Sequence, residues 1–403
     1  MAKTHTMKTQ SDYFEDEDDK KYTPEEQKYF DSLDLENQER IKSQEAEILS
    51  IRNERRAIPL RFRLLNSGMP LQQVSAAYER IECISDEKAA EYVDCLAKVP
   101  FGRYATPMLQ STLQKTLQTM RTTLDRHVFS MTGPKATLLG LAAKWLVKPA
   151  SGGTVIGFQG PAGVGKTTLL KEGFGSALGL PTAFIPLGGA TDVSYLHGHN
   201  FTYEGSKPGV IAQSIIDAGV MNPILVFDEL DKVGDRYDSS EVISALVHLT
   251  DPAQNSTFCD KYIGLPMDLS RCLFAFTYND RSRISPILLN RMTEIVVNDY
   301  DMQERRKILK AHILPRVAKD FGLEIELEPE AIECLLAASS EAPGLRGLKH
   351  DLECAVSAMN LERIEMGLEI DSLLKIDRDA MDRCLRLRIQ SMAIPDSVKH
   401  IYC

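Results

Sequence analysis

The sequence predicts an α/β fold in which a parallel sheet is flanked by helices, with a helical segment before it and a small helical lid after it. Short apolar runs, TVIGFQ at 154–159, TAFIPL at 182–187, ILVF at 224–227 and CLFAFTYND at 272–280, alternate with stretches of helical periodicity, as crossover helices between parallel strands require. The first run feeds a glycine-rich turn that opens a helix. Beyond Tyr300, amphipathic stretches with apolar residues three and four apart replace the strand-like runs.

At 403 residues the chain is longer than most single domains, and its apolar fraction of 43% is ample for a core. The expected division is an acidic, disordered tail over 1–22, an N-terminal helical segment over 23–106, the α/β domain over 107–300, the lid over 301–390 and a C-terminal tail over 391–403. A net charge of −10 argues against a basic nucleic-acid groove over the whole surface and leaves room for a local basic pore. No apolar run approaches bilayer length, and MAKTHTMKTQ lacks the apolar stretch of a signal peptide, so a cytoplasmic or other soluble intracellular setting with no membrane partner is expected. The eight cysteines form no CxxC and read as reduced, mostly buried thiols. His197 and His199 lack a further metal ligand nearby and read as loop histidines.

In chain order, the acidic run SDYFEDEDDKK suits a solvating tail, or docking on a basic surface. Thr23 followed by Glu26 has the capping-box pattern of a helix start, and ENQERIKSQEAEILSIRNERRA continues as a charged helix with a thin apolar stripe that Pro59 ends. Two or three short helices fill 60–100, one of them starting at Ser85. Helices from Pro107 to about Asp125 and from Ala136 to Leu146 follow, the second carrying Trp145 as a packing residue beside the sheet. The turn PASGGT then enters the first strand.

The stretch GPAGVGKTTLL, from Gly160 to Leu170, lies between that strand and a helix running from Thr167 to about Leu178. In such a turn bare backbone N–H groups meet phosphate oxygens, and the helix N-terminus adds favourable potential. Lys166 would reach the β- and γ-phosphates of a nucleotide, and Thr167 would ligate magnesium. The contacts expected from the loop come from Gly160, Pro161, Ala162, Gly163, Val164, Gly165, Lys166, Thr167 and Thr168. The alternative is a glycine-rich turn with a surface lysine.

Downstream, the strand Ile224–Phe227 runs into Asp228 and Glu229, which places two carboxylates at the C-terminal mouth of a parallel sheet. Asp228 can hold the magnesium with Thr167, and Glu229 can orient the attacking water; the alternative is that both merely end a strand. Asp231 suits a structural role, capping the next helix or pairing with a neighbouring subunit. A helix over Ser239 to Leu249 comes next. Asn279 ends the following strand, where its amide could bond the γ-phosphate and the lytic water, or simply serve a turn. Arg291 follows a helix and has no evident partner in its own subunit, and Arg346 starts the third lid helix, facing either the nucleotide or solvent.

With GPAGVGKT, IPLGGATDVSYLHGHNFTYEGSKPGVI, NPILVFDELDKVG, LVHLTDPAQNSTFCDKYIGLPMDLS, FTYND, LLNRM and EAPGLRGLKHDLE in that order, the chain resembles the ATPase module of the Lon protease family, within the AAA+ superfamily, from about Pro59 to Arg388. The resemblance implies a P-loop AAA+ domain, ATP and magnesium as cofactors, and a ring in which a hexamer is the family expectation. It implies Walker A at Gly160, Gly165, Lys166 and Thr167, Walker B at Asp228 with catalytic Glu229, sensor 1 at Asn279, an arginine finger for the adjacent subunit at Arg291, and sensor 2 at Arg346. Tyr203 in FTYEG matches the aromatic pore-loop residue that grips translocating polypeptide, although packing is the ordinary role of a tyrosine.

Lon enzymes continue into a serine–lysine protease domain, and the 403 residues leave no room for one after the lid, so intrinsic peptidase activity is not expected. Ala162 replaces a proline usual in the family's loop, and DRYDSSE replaces a glycine-aspartate-proline run, which puts the second pore loop in doubt. Two function classes follow: an ATP hydrolase that threads, unfolds or remodels protein, alone or with a separate protease, and a nucleotide-stabilised assembly whose hydrolysis is slow or dispensable. A nucleic-acid motor is disfavoured by the acidic balance, though Lon relatives can bind DNA.

Overall fold

The computed structural model describes residues 22–56, 58–106, 112–148, 154–190, 192–203, 205–233, 239–340, 342–367 and 373–392. Residues 1–21 of the expected acidic tail, the start of the helix at Pro107, most of PASGGT, the first four residues of DRYDSSE and Cys403 lie outside these residues. The chain divides into two units, one up to Arg63 and one from Leu64.

In the first unit, Thr23 caps the helix Pro24–Asp31 through a reciprocal box with Glu26. Phe30 is its buried residue, and Tyr22, the last residue of the expected tail, stacks on it. The charged helix Leu35–Arg56 follows.

The second unit is built on a parallel five-stranded sheet: β1 (Val155–Gln159), β2 (Thr182–Pro186), β3 (Ile224–Asp228), β6 (Leu273–Tyr278) and β7 (Thr293–Val296), in the order β2-β3-β6-β1-β7. Between β3 and β6 lies a two-residue antiparallel pair, β4 (Phe258–Cys259) with β5 (Pro266–Met267). Strand β6 sits between β1 and β3, so the phosphate-loop and carboxylate strands are not neighbours and Asn279 emerges between them. Ile156, Phe158, Val226 and Ala275 are inaccessible to solvent and form one core with Leu124, Leu169, Leu170 and Phe174. Burying each large apolar side chain of this kind contributes about 1.5–3 kcal/mol. Trp145, on the helix Thr132–Val147, packs there with its ring 6.3 Å from Phe174.

The helix after the phosphate loop is not regular. It begins at Lys166–Thr168, widens into a π-turn over Leu169–Gly175 and returns to α over Ser176–Leu178. Crowding marks the site of the bulge: a Cβ on Gly173 would lie 3.2 Å from Leu124 Cδ2, and one on Gly175 would lie 2.3 Å from Thr182 Oγ1.

The lid has its own core, with Leu309, Val317, Leu335, Leu352, Val356 and Met381 all buried. Its helices are Met302–Ile308, continued through a second π-turn to Phe321, then Pro329–Ala338, Arg346–Glu365 and Arg378–Met392. The last runs two residues into the expected tail. A short parallel pair, β8 (Ile325–Leu327) with β9 (Leu374–Ile376), ties these helices together. Tyr300 packs against both cores at the junction. Among the described residues no helix is long and apolar enough to cross a membrane.

Candidate functional site

The strands' C-terminal ends bring the expected residues to one cleft of about 380 Å³, within the range of small-molecule sites. On the sheet side it is lined by Ala162, Gly163, Gly165, Lys166, Thr167, Thr168, Asp228, Glu229 and Asn279. The lid side adds Ile313, Arg316, Leu345, Arg346 and Lys349. Gly160, Pro161 and Val164 are not among the lining residues; the first two offer backbone carbonyls and the Val164 side chain is buried in the core.

The loop needs its glycines. Gly163 and Gly165 hold φ of +79° and +91°, a region costly for any residue with a Cβ. Gly160 has no room for one, since it would lie 2.2 Å from Val297 O. Lys166 is only 8% exposed, and its ammonium donates to Gly160 O at 2.5 Å, Pro161 O at 2.9 Å and Asn279 Oδ1 at 2.8 Å. Burial pulls its pKa below the ordinary lysine range, opposed by the charges of Asp228 and Asp231.

The carboxylates are set by the hydroxyl of Thr277, which no motif marks. Thr277 donates to Asp228 Oδ1 and accepts from the Glu229 backbone N–H at 3.4 Å. Glu229 takes φ +60°, rare for a non-glycine residue, as the chain leaves β3. Opposite it, a Cβ on Gly188 would fall 2.6 Å from Glu229 Oε2, so the bare glycine makes space for that carboxylate. Asp231 neither caps the next helix nor faces outward: it is 3% exposed, and its Oδ2 accepts from the N–H groups of Asn279 and Asp280, each at 3.2 Å. The structural role expected for it is thus the anchoring of Asn279.

The lid closes over the loop through backbone contact. Leu345 N–H donates to Gly163 O at 3.0 Å, and a Cβ on Gly163 would lie 3.1 Å from Arg346 Cβ. Buried Arg305 fixes this geometry, bonding Asp299 at 2.8 Å, Ser339 O at 2.9 Å and Ala342 O at 3.2 Å, while Asp299 also accepts from Gly344 N–H at 3.1 Å. Arg316 and Lys349 thereby join Lys166 and Arg346 around the cleft. Their presence there depends on how the lid folds, and nothing in their local sequence marks them.

Beside the loop lies a second cavity of about 410 Å³, lined by Met131 and Tyr300 among others. Tyr300 donates to Val164 O at 2.9 Å, and Ser130 and Met131 hold left-handed backbones with φ of 56° and 55°. Ser130 donates to Glu304 of the lid.

Two expected site residues lie apart from the cleft. Arg291 bonds Asp251 Oδ2 at 3.3 Å, and Asp251 is held below the ordinary carboxyl range first by the Ala253 N–H and then by Arg291. Tyr203 is 68% exposed on a separate loop. The thiols differ from expectation: Cys83 and Cys259 are exposed, and only Cys272 and Cys384 of those described are buried.

The donor set fits a magnesium nucleotide. Hydroxyl and carboxylate oxygens stand at Thr167 and Asp228, and among the described residues no cluster of three or more His, Cys, Asp or Glu could hold a metal unaided. Magnesium commonly takes one or two protein oxygens and completes its shell with phosphates and water. Four cations around the cleft suit a polyanion.

Residues 156–300 match the family model described as ATPase family associated with various cellular activities (AAA). The chain is similar to a Lon protease homolog of Acanthamoeba polyphaga mimivirus, 36% identical over 264 residues that cover 64% of this chain and 26% of that protein. It is also similar to the Lon protease of Helicobacter pylori, 34% identical over 288 residues (68% and 34%), and to the mitochondrial Lon protease homolog of Caenorhabditis elegans, 34% identical over 265 residues (65% and 27%). The chain thus spans about a quarter to a third of the length of these relatives. The Lon similarity runs well beyond the AAA segment and agrees with the parallel sheet and the loop at its mouth, and this chain carries a nucleotide-binding AAA+ ATPase module of the Lon type.

Proposed function

We propose that the chain is the Mg-ATP-driven motor of a ring that threads, unfolds or remodels polypeptide. The observation that carries this reading is the meeting of Lys166, Asp228, Glu229 and Asn279 in one cleft beneath the lid. A scaffold stabilised by nucleotide would need the loop alone. It would not need a carboxylate set on a left-handed backbone, or an amide bonded to the loop lysine.

In this reading the loop N–H groups and Lys166 bind the β- and γ-phosphates, the lid cations Arg316 and Lys349 add charge, and the cavity beside Met131 and Tyr300 takes the base. Magnesium, held by Thr167 and Asp228, would neutralise charge on the phosphate oxygens. Glu229 orients a water for in-line attack on the γ-phosphorus and receives its proton, while Asn279 bonds the same water. The bond from phosphorus to the water oxygen forms as the bond to ADP breaks. Arg346 couples the γ-phosphate to the lid. Arg291 completes the site of the next subunit, which calls for a closed ring with heterologous interfaces, proposed as a hexamer. Tyr203 grips the polypeptide. The helical segment 23–106, the α/β domain 107–300 and the lid 301–390 act as the working parts, and any degradation that accompanies the motor is assigned to a protease outside them.

The deciding experiment measures ATPase rate with and without an unfolded polypeptide, alongside oligomer mass with and without nucleotide. Several-fold stimulation and a nucleotide-dependent ring are expected. A stable assembly with negligible turnover would replace the motor by a scaffold.

A further inference from the structure

A loop that carries load must have its backbone held by something other than its own tip, because an exposed segment left free gives up ordering entropy each time it grips. The segment Phe201-Thr202-Tyr203 divides these tasks between neighbouring residues. Tyr203 is 68% exposed. Phe201, two residues earlier, stacks on Tyr92 with ring centroids 5.1 Å apart, and the Arg80 guanidinium lies 5.8 Å from its centroid. Between them, the carbonyl of Thr202 accepts from Lys88 Nζ at 3.0 Å. Arg80 belongs to the helix Leu71–Ile81, and Lys88 and Tyr92 to the helix Asp86–Lys98, both preceding the sheet in the chain.

These helices are themselves fixed. The Tyr92 hydroxyl donates to Ile263 O at 2.7 Å, and Arg80 donates to Ile263 O at 3.2 Å and Gly264 O at 2.6 Å. Gly264 has φ +62°, and a Cβ there would lie 1.6 Å from Arg80 Nη1, so only glycine admits the guanidinium. Asp260, fully buried, accepts from Tyr262 and Ile263 N–H at 2.9 and 3.0 Å and from Gly209 N–H at 2.8 Å, which pins the far end of the Tyr203 loop to the same turn.

We infer that the two helices Leu71–Ile81 and Asp86–Lys98 are the seat of the polypeptide-gripping loop, with Phe201 as its anchor and Lys88 as its clamp. Both are positioning residues, acting on polypeptide only through Tyr203. The inference rests on the proposed grip by Tyr203. It adds that affinity for polypeptide is set by side chains outside the α/β domain's sheet and helices, so that whatever shifts these two helices also shifts the grip.

The test uses the full chain and reduced, carboxymethylated α-lactalbumin as an unfolded polypeptide, titrated against ATPase rate. Phe201→Ala should raise the half-stimulating concentration about fivefold or more, the loss of one well-packed aromatic contact, with the rate at saturation retained. Phe201→Tyr should restore the wild-type curve, because the second ring keeps the stack. Lys88→Met removes the contact to Thr202 O from a half-buried position and should shift the curve in the same direction by about twofold; it decides the matter if Phe201→Ala fails to fold. Tyr203→Ala is the control for the grip. Wild-type curves for both Phe201→Ala and Lys88→Met, with stimulation lost in Tyr203→Ala, would overturn the seat and leave the grip standing. A wild-type curve for Tyr203→Ala, or no stimulation of the unaltered protein, would overturn both.

Discussion

The ammonium of Lys166 lies 2.8 Å from Oδ1 of Asn279, joining the phosphate loop to the end of β6 across the cleft. With two loop carbonyls as its other acceptors, the lysine has all three of its donors engaged. Asn279 is in turn held by Asp231, whose carboxylate takes its backbone N–H at 3.2 Å. A phosphate entering the cleft would draw Lys166 from this network and release the amide.

The two residues therefore should fail differently. Lys166→Ala removes a buried cation that a phosphate would bond, and nucleotide affinity should fall by about tenfold or more. Asn279→Ala should leave affinity within about threefold and lower turnover by about tenfold to a hundredfold, as expected for a group that matters more to the attacking water than to the bound nucleotide. Fluorescent-nucleotide binding and steady-state hydrolysis measured on both variants separate the effects. A turnover defect in Asn279→Ala that vanishes at saturating ATP would remove Asn279 from the chemistry.

Thr277 bridges Asp228 and the backbone of Glu229. Thr277→Val keeps the shape of the side chain and deletes the hydroxyl, freeing the Asp228 carboxylate and loosening the left-handed turn at Glu229. Turnover should drop about tenfold with nucleotide affinity nearly intact. Glu229→Gln, which keeps the geometry and removes the base, should lower turnover by a further factor of about ten or more and still bind ATP. If Thr277→Val hydrolyses ATP at the wild-type rate, the carboxylates do not depend on that hydroxyl.

The four long strands and the cleft between their ends were legible because each strand is an apolar run that stops at polar residues or glycine, and residues at strand ends meet wherever strands are parallel and in register. Thr277 was not, since a threonine within LFAFTY reads as one more β-branched strand residue. Arg316 and Lys349 reach the cleft only through the packing of lid helices distant in sequence. Strands β4, β5, β8 and β9 are two or three residues long, too short for any period to register. The π-turn at Leu169–Gly175 answers to the approach of Leu124, a tertiary contact that helical periodicity does not encode. The backbone groups that Asp231 holds cannot be told from its position in the sequence, because they depend on β6 lying next to β3.

Arg291 is bonded to Asp251 and absent from the lining of its own cleft. If it serves the adjacent subunit, Arg291→Ala and Lys166→Ala are defective on opposite sides of one interface. Each alone should hydrolyse ATP at a small fraction of the wild-type rate. Mixed in equal amounts and allowed to exchange subunits, they should recover up to about a quarter of the wild-type sites, because a random ring places an intact lysine beside an intact arginine that often. Hydrolysis that rises with mixing identifies the arginine as acting in trans. A mixture no more active than its components, while native mass spectrometry shows mixed rings, would confine Arg291 to its bond with Asp251.

Glu294 on β7 accepts from the Tyr278 hydroxyl at 2.7 Å and from Arg281 Nε and Nη2, each at 3.0 Å, so one carboxylate links the ends of β6 and β7 on either side of β1. The Arg281 hydrogen bonds, followed by that from Tyr278, hold its pKa below the ordinary glutamate value of 4.5. A carboxyl whose native value is lowered favours the folded state whenever it is ionised: its contribution is complete above about pH 5 and is lost as pH falls through the lowered native value. The Arg281 side of the pair is 56% exposed, so solvent screens the interaction and the contribution is small. Glu294→Gln should therefore lower stability at pH 7, and urea titrations of the two proteins should converge as the pH is taken below 4.5. A stability difference that stayed constant down to pH 3 would assign the effect to packing of the side chain and not to its charge.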